Sequence, residues 1–297
     1  MTGGSPQVDV ARLRSEYAGP HELLRTSDGK TLFIRAWKAK DKARASVLIF
    51  HGITGYSGPY GPMVAENLSA SGYDVYGLDL RGHGLSDGRR GDYPSRERFV
   101  EDLDSAVALA RSKSSKLILL GHSLGALAAI AAINSKPEPV DGLVILSAAR
   151  RIRTGVYPKT KAGALLRTLF GVAILRGTPV IEYRRPGQLG LDDPLFTFKY
   201  SARFYTVLYG VGALAVTRMM RAGLLDSPNL RFNRKLSVPL LLGVGDQDEL
   251  FPVEGVKEFH DEIECDDKSF FVAPGAHHAT WPSDSWGPLD EWLKHRF

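Results

Sequence analysis

Gly121-His122-Ser123-Leu124-Gly125 follows four aliphatic residues, Leu117 to Leu120, and runs straight into an alanine-rich stretch. A hydroxyl between two glycines, where a strand gives way to a helix, is placed to act as a nucleophile. Small residues two before and two after it relieve the crowding of so tight a turn. Leu124 would start the helix, where a free backbone N–H and the positive end of the dipole face a developing oxyanion. A serine needs a base to take its proton, and an imidazole needs an acid to fix its tautomer. Candidates follow two later aliphatic runs: Asp246 and Asp248 in GDQDELFP after PLLLGV, and His277 and His278 in PGAHHATW after KSFFVA. Serine, acid and histidine thus each lie beyond a strand, in the order suited to convergence at the carboxyl edge of a parallel sheet.

The elements that must position these residues are legible as alternating runs. Strand-like stretches fall at 30–37, 45–50, 73–80, 116–120, 142–147, 239–244 and 268–273, mostly as continuous apolar runs. Helical patterns fall between them at 60–70, 95–112, 124–135, 253–263 and 284–295. This alternation predicts an α/β fold, a mostly parallel central sheet with helices on both faces. The first two strands, 30–37 and 45–50, are expected as an antiparallel edge. Residues 150–235 break the rhythm with no good strand, while LLRTLFGVAIL and the all-round apolar run Phe204 to Val216 read as helices, punctuated by Pro158, Pro179, Pro186 and Pro194. They are expected as a helical cap between two strands of a core formed by 17–149 and 236–297. Residues 1–16 read as a poorly ordered extension.

Composition bounds the partners. The chain has 297 residues, a net charge of +5 and a hydrophobic fraction of 43%, the profile of an ordinary globular protein. The densest basic stretch, Arg150 to Lys161, has neither zinc-finger spacing nor interleaved aromatics, so nucleic acid is not an expected partner. Arg150, Arg151, Arg153, Lys159 and Lys161 beside an apolar cap allow peripheral contact with an anionic membrane. No signal-peptide core and no membrane-length apolar run is visible, which points to the cytoplasm. Cys265 is single and has no assigned role. No His, Cys, Asp or Glu spacing calls for a metal, and no P-loop or dinucleotide-binding glycine pattern calls for a cofactor.

From about Tyr17 onward the chain resembles an α/β-hydrolase of the monoglyceride lipase and lysophospholipase group. That resemblance implies an α/β-hydrolase fold and a serine hydrolase acting on acyl esters. In that family the acid stands in a Gly-x-x-Asp pattern, matched by Gly245 to Asp248, and the base in a Gly-x-x-His pattern, matched by Gly275 to His278. The implied triad is Ser123, Asp248 and His278. HGITGYSGPY, His51 to Tyr60, resembles the family's HGxxxxSGxY loop and implies Ile53 N–H as a second oxyanion donor beside Leu124. DLRGHGLSDG resembles a turn common in the superfamily, with His83 structural; His51 and His122 are likewise read as bracing backbone. Family members place polar side chains at the glycerol end of the pocket. Gly55, Pro59 and Trp281 stand at those positions here, so that end reads as less polar.

The same triad serves thioesterases, and some members of the superfamily are binding-only receptors. An acyl thioesterase or another small-molecule α/β-hydrolase, and in a different class a non-catalytic ligand-binding receptor of this fold, are therefore the alternatives to an ester hydrolase.

Overall fold

The computed structural model describes residues 8–135, 140–153, 177–183, 188–212, 215, 218 and 227–297. Its centre is an eight-stranded sheet in the order β1-β2-β4-β3-β5-β6-β9-β10. The strands are β1 His21–Arg25, β2 Thr31–Trp37, β3 Ser46–Phe50, β4 Asp74–Leu78, β5 Leu117–His122, β6 Gly142–Leu146, β9 Leu240–Gly245 and β10 Lys268–Ala273. From β4 to β10 all pairings are parallel, while β1 and β2 run antiparallel at one end.

The interior strands are buried on both faces, and their alternation sorts side chains between two cores. Leu48, Phe50, Leu117 and Leu119 face the cluster that takes Phe99 and Leu103 of α3 (Arg96–Ser112), most of α4 (Gly125–Ser135), and Val256 and Phe259 of α6 (Val253–Glu262). Val47, Ile49, Ile118 and Leu120 face the opposite cluster, with Leu68 of α2 (Glu66–Ala70) and Leu289 and Leu293 of α7 (Gly287–Arg296). The helix α4 is buried from Gly125 to Ile133, which explains its alanine-rich, non-amphipathic sequence. In α3 the buried positions Phe99, Asp102, Leu103, Ala106, Val107 and Ala110 keep helical spacing, and Ser95 caps the first turn by accepting from Arg98 N–H.

Three expectations change. The antiparallel edge is not 30–37 with 45–50. It is the hairpin β1–β2, and β3 lies inside the sheet between β4 and β5. Strand β1, HELLR, alternates exposed and half-buried residues, so it lacks the apolar run that marks an interior strand. In the amino-terminal extension, Val10–Ser15 form α1, capped by Asp9 and tied to the core by Arg14, which donates to Leu85 O and Asp87 Oδ1, both at 2.9 Å.

The third change lies between β6 and β9. A pair of two-residue strands occurs there, β7 Ile181–Glu182 and β8 Lys199–Tyr200, followed by α5 Ala202–Tyr209. This helix stops short of Val216 because Gly210 turns left-handed at φ 66°, and Ser227 Oγ donates to Tyr209 O. LLRTLFGVAIL lies outside the described residues, as do Lys159 and Lys161. No helix among the described residues is long and apolar enough to cross a membrane.

Beneath the turn after β4, Arg81 is held in a fork by Asp102, with Nε to Oδ2 at 2.7 Å and Nη2 to Oδ1 at 2.9 Å. Asp28 adds two bonds to the same guanidinium, and Tyr93 donates its hydroxyl to Asp102. Arg81 and Asp102 side chains are 2% and 0% exposed. Asp102→Ala should therefore destabilise the protein by about 3 kcal/mol, since it leaves a buried cation with Asp28 as its remaining ion pair among the described residues. Urea unfolding measures this, and a loss below roughly 1 kcal/mol would contradict the assignment.

Candidate active site

The turn after β5 is shaped by what cannot fit there. A Cβ on Gly125 would lie 1.9 Å from Phe50 O, and one on Gly121 would lie 2.6 Å from Gly125 O. Only glycines let α4 leave β5 this closely against β3. Ser123, between them, takes φ 55°, a left-handed conformation unusual for a side-chain-bearing residue. Its N–H donates to Leu146 O at 2.9 Å, and its carbonyl accepts from Ala126 N–H at 3.0 Å. These bonds hold the strained turn and leave the hydroxyl projecting.

The loops after β9 and β10 bring their side chains to this hydroxyl. His278 Nε2 lies 3.0 Å from Ser123 Oγ, and His278 Nδ1 lies 3.0 and 3.2 Å from the two oxygens of Asp248. With Nδ1–H donating to the carboxylate, Nε2 is left free to accept the serine proton. Asp248 is buried and accepts at Oδ1 from Leu250 and Phe251 N–H at 2.8 and 2.9 Å. Burial would raise its pKa, but the neighbouring His278 and the Phe251 N–H outweigh it and hold the carboxyl at about 2. Asp246 and His277 stay outside. Asp246 is exposed and accepts from Gly275 N–H, while His277 is exposed and meets Glu249 Oε1 at 3.0 Å.

The backbone of His278 is fixed as firmly as its ring. Its N–H donates to Glu249 Oε2 at 3.0 Å, and its carbonyl accepts from His122 Nε2 at 2.8 Å. The other nitrogen of His122 accepts from Tyr60 Oη at 2.6 Å, and Tyr60 Oη in turn accepts from Gly52 N–H at 2.9 Å. One buried chain thus joins the loop after β3, the turn after β5 and the loop after β10. His51 and His83 brace backbone as expected: His51 Nδ1 donates to Gly52 O while Nε2 accepts from Leu80 N–H, and His83 Nδ1 meets Arg81 O. Burial holds both imidazoles below their ordinary pKa and therefore neutral.

Ile53 lies on the β3 loop and lines one cavity together with Gly52, Ser123 and His278. Leu124 precedes the first helical bond of α4, so its N–H belongs to the unsatisfied group at a helix start. The rest of the cavity wall includes Pro59, Met63, Leu189, Phe196, Leu250 and Gly55. Gly55 and Pro59 stand at the cavity as expected, but Trp281 does not. It is buried in the core, stacked on Trp286 at 4.6 Å between ring centres.

The roles of Tyr60 and Glu249 were not foreseen. Tyr60 closes the HGITGYSGPY match, but its hydroxyl partners lie 8 and 62 positions away. Nothing in the pattern of Glu249 sets it apart from a surface carboxylate.

A family model described as serine aminopeptidase, S33, matches residues 41–284. The chain is 28% identical over 262 residues to a monoacylglycerol lipase of Mycolicibacterium smegmatis, covering 84% of this chain and 86% of that one. It is 26% identical over 254 residues to the phospholipase YtpA of Bacillus subtilis, covering 82% of this chain and 90% of that one. A crystal structure of Paleococcus ferrophilus monoacylglycerol lipase superposes with a TM-score of 0.65 at 26% identity, covering 90% of this chain and 99% of that one.

The depressed pKa of Asp248 links the site to stability. Its folded value of about 2 lies below the ordinary 3.8, so its contribution is complete above the unfolded value and is lost as the pH falls through the folded one. Urea unfolding between pH 5 and pH 2 should show about 2 kcal/mol of acid destabilisation that Asp248→Asn removes. Parallel acid limbs in the two proteins would contradict it.

Proposed function

The chain belongs to the serine aminopeptidase, S33, family of α/β-hydrolases, which has monoglyceride lipase-like members, and on that premise we propose that it is a serine carboxylester hydrolase. The observation that carries this reading is the continuous contact Ser123 Oγ, His278 Nε2, His278 Nδ1 and Asp248 carboxylate. His278 removes the Ser123 proton as the oxygen attacks an ester carbonyl. Ile53 and Leu124 N–H groups stabilise the tetrahedral oxyanion, each worth about 10²- to 10³-fold in rate. His278 then protonates the departing alcohol, and a water activated by the same imidazole releases the acid and restores Ser123.

The cavity wall argues for neutral acyl esters rather than peptides with a free amino terminus. Among the described lining residues there is no carboxylate to hold an ammonium group, and most of the wall is apolar. In this reading residues 150–235 are a cap over a core of 17–149 and 236–297, and the Gly55 and Pro59 end takes an alcohol less polar than glycerol. Val180, Leu189 and Leu191 are 44%, 43% and 55% exposed, which favours contact between that cap and a lipid surface. Arg150 and Arg153 add less to such contact, since Arg150 pairs with Glu262 and Arg153 donates to Asp248 O.

Ser123→Ala is expected to reduce p-nitrophenyl ester hydrolysis to background and to abolish labelling by a fluorophosphonate, with the thermal midpoint kept. Ordinary turnover by that variant would end the proposal. An acyl thioesterase is distinguished by comparing an acyl-CoA with the matching ester, and a binding-only protein by the failure of wild type to be labelled. For the membrane contact, flotation with anionic liposomes is the measurement, and no binding at low salt removes it.

A further inference from the structure

Resting on the reading of Ile53 as an oxyanion donor, we infer that Tyr200 is a positioning residue for that donor. The stretch 188–201, which carries it, is then part of the oxyanion loop's framework. The N–H groups on either side of Ile53 are each held by a buried tyrosine hydroxyl. Gly52 N–H donates to Tyr60 Oη at 2.9 Å, and Thr54 N–H donates to Tyr200 Oη at 2.8 Å. Tyr60 belongs to the same loop, whereas Tyr200 arrives from 146 residues away.

Thr54 needs that outside support. It sits at φ 69°, a left-handed conformation that a β-branched residue resists. Two further bonds from the same stretch reach Thr54, and a third braces the phenol that holds it. Thr197 N–H donates to Thr54 O at 2.9 Å, Gln188 Nε2 donates to Thr54 Oγ1 at 3.0 Å, and Tyr200 Oη passes its own proton to Thr197 O at 2.8 Å. Thr54 N–H, the phenol, the Thr197 peptide and Thr54 C=O therefore form a closed ring of hydrogen bonds. Two residues on, Tyr56 Oη donates to Asp193 Oδ2 at 2.8 Å, a second tie between loop and segment.

Tyr200 has little room to move. Its side chain is fully buried, its ring centre is 4.5 Å from that of Phe204, and Ser201 N–H donates to Gly91 O at 2.8 Å. A Cβ on Gly91 would fall 1.9 Å from Lys199 O, so β8 rests on the turn at 88–92 without clearance. Asp92 anchors the same stretch by accepting from Ser201 Oγ and pairing with Arg203. The phenol thus transmits the position of β8 to the peptide that follows Ile53. If β8 shifts, Thr54 is released toward an ordinary conformation, and the Ile53 N–H turns with it.

Tyr200→Phe keeps the ring and removes only the oxygen. On a p-nitrophenyl ester, kcat should fall about tenfold or more with KM within about twofold. The Ki of a trifluoromethyl ketone, which mimics the tetrahedral adduct, should rise by about the same factor. Unchanged kcat and Ki, or a change in KM alone, overturns the proposal. Should the variant not fold, Gln188→Ala at the half-buried rim carries the test, with kcat expected to fall and Ki to rise about threefold; wild-type values for both overturn it. Amide exchange across 52–57, read by mass spectrometry, should quicken in either variant whether or not ester is turned over. A wild-type protein inert towards esters and fluorophosphonate strikes down the hydrolase reading, and with it the oxyanion role; unaltered exchange strikes down the clamp alone.

Discussion

The close approach of α4 to β3 is the constraint from which the rest of the molecule follows. Phe50 O occupies the space that any side chain at position 125 would need, and this fixes where the helix starts relative to two central strands. The start of α4 fixes the strained Ser123 and leaves the Leu124 N–H ahead of the helix's first bonds. A looser junction would tolerate alanine and lose the alignment. Here steric exclusion does what attractive contacts alone could not, because packed backbone has no intermediate setting.

Around that fixed point the polar groups are satisfied in a way that removes freedom from the histidine. Four separate partners, Glu249, His122, Asp248 and Ser123, meet the backbone N–H, the carbonyl and both ring nitrogens of His278. Each bond alone is modest, but an imidazole with every polar atom engaged has one orientation and one tautomer. The chain from Gly52 through Tyr60 and His122 means that this orientation depends on a loop at the opposite side of the cleft. Burial strengthens each link, since water cannot compete for it.

Much of this was legible in the residue pattern, for physical reasons. Interior strands such as β5 and β6 are buried on both faces and must be continuously apolar, so they stand out. The glycines at 121 and 125 are required by sterics and therefore mark the turn. The edge strand β1 has only Leu23 and Leu24 as apolar residues, because one of its sides meets water, and it left no such trace. The helix begun at Ala202 ends at Gly210 rather than running on through more apolar residues; a left-handed cap outweighed hydrophobicity there. Trp281 was misplaced because a tryptophan near the site looks the same in one dimension whether it faces the cleft or stacks in the core. The tyrosine clamps were invisible, since their partners are set by tertiary distance and not by spacing along the chain.

The order of the strands divides Ser123, Asp248 and His278 unequally. Ser123 and Asp248 follow β5 and β9, which have neighbours on both sides, whereas His278 follows β10 at one margin of the sheet. That margin ends at β10, with Val272 37% exposed. Cooperative units of a sheet open from their margins first. Transient fraying of β10 would thus part His278 from Ser123 and Asp248 while both of those stayed on interior strands, in a protein whose centre is still folded.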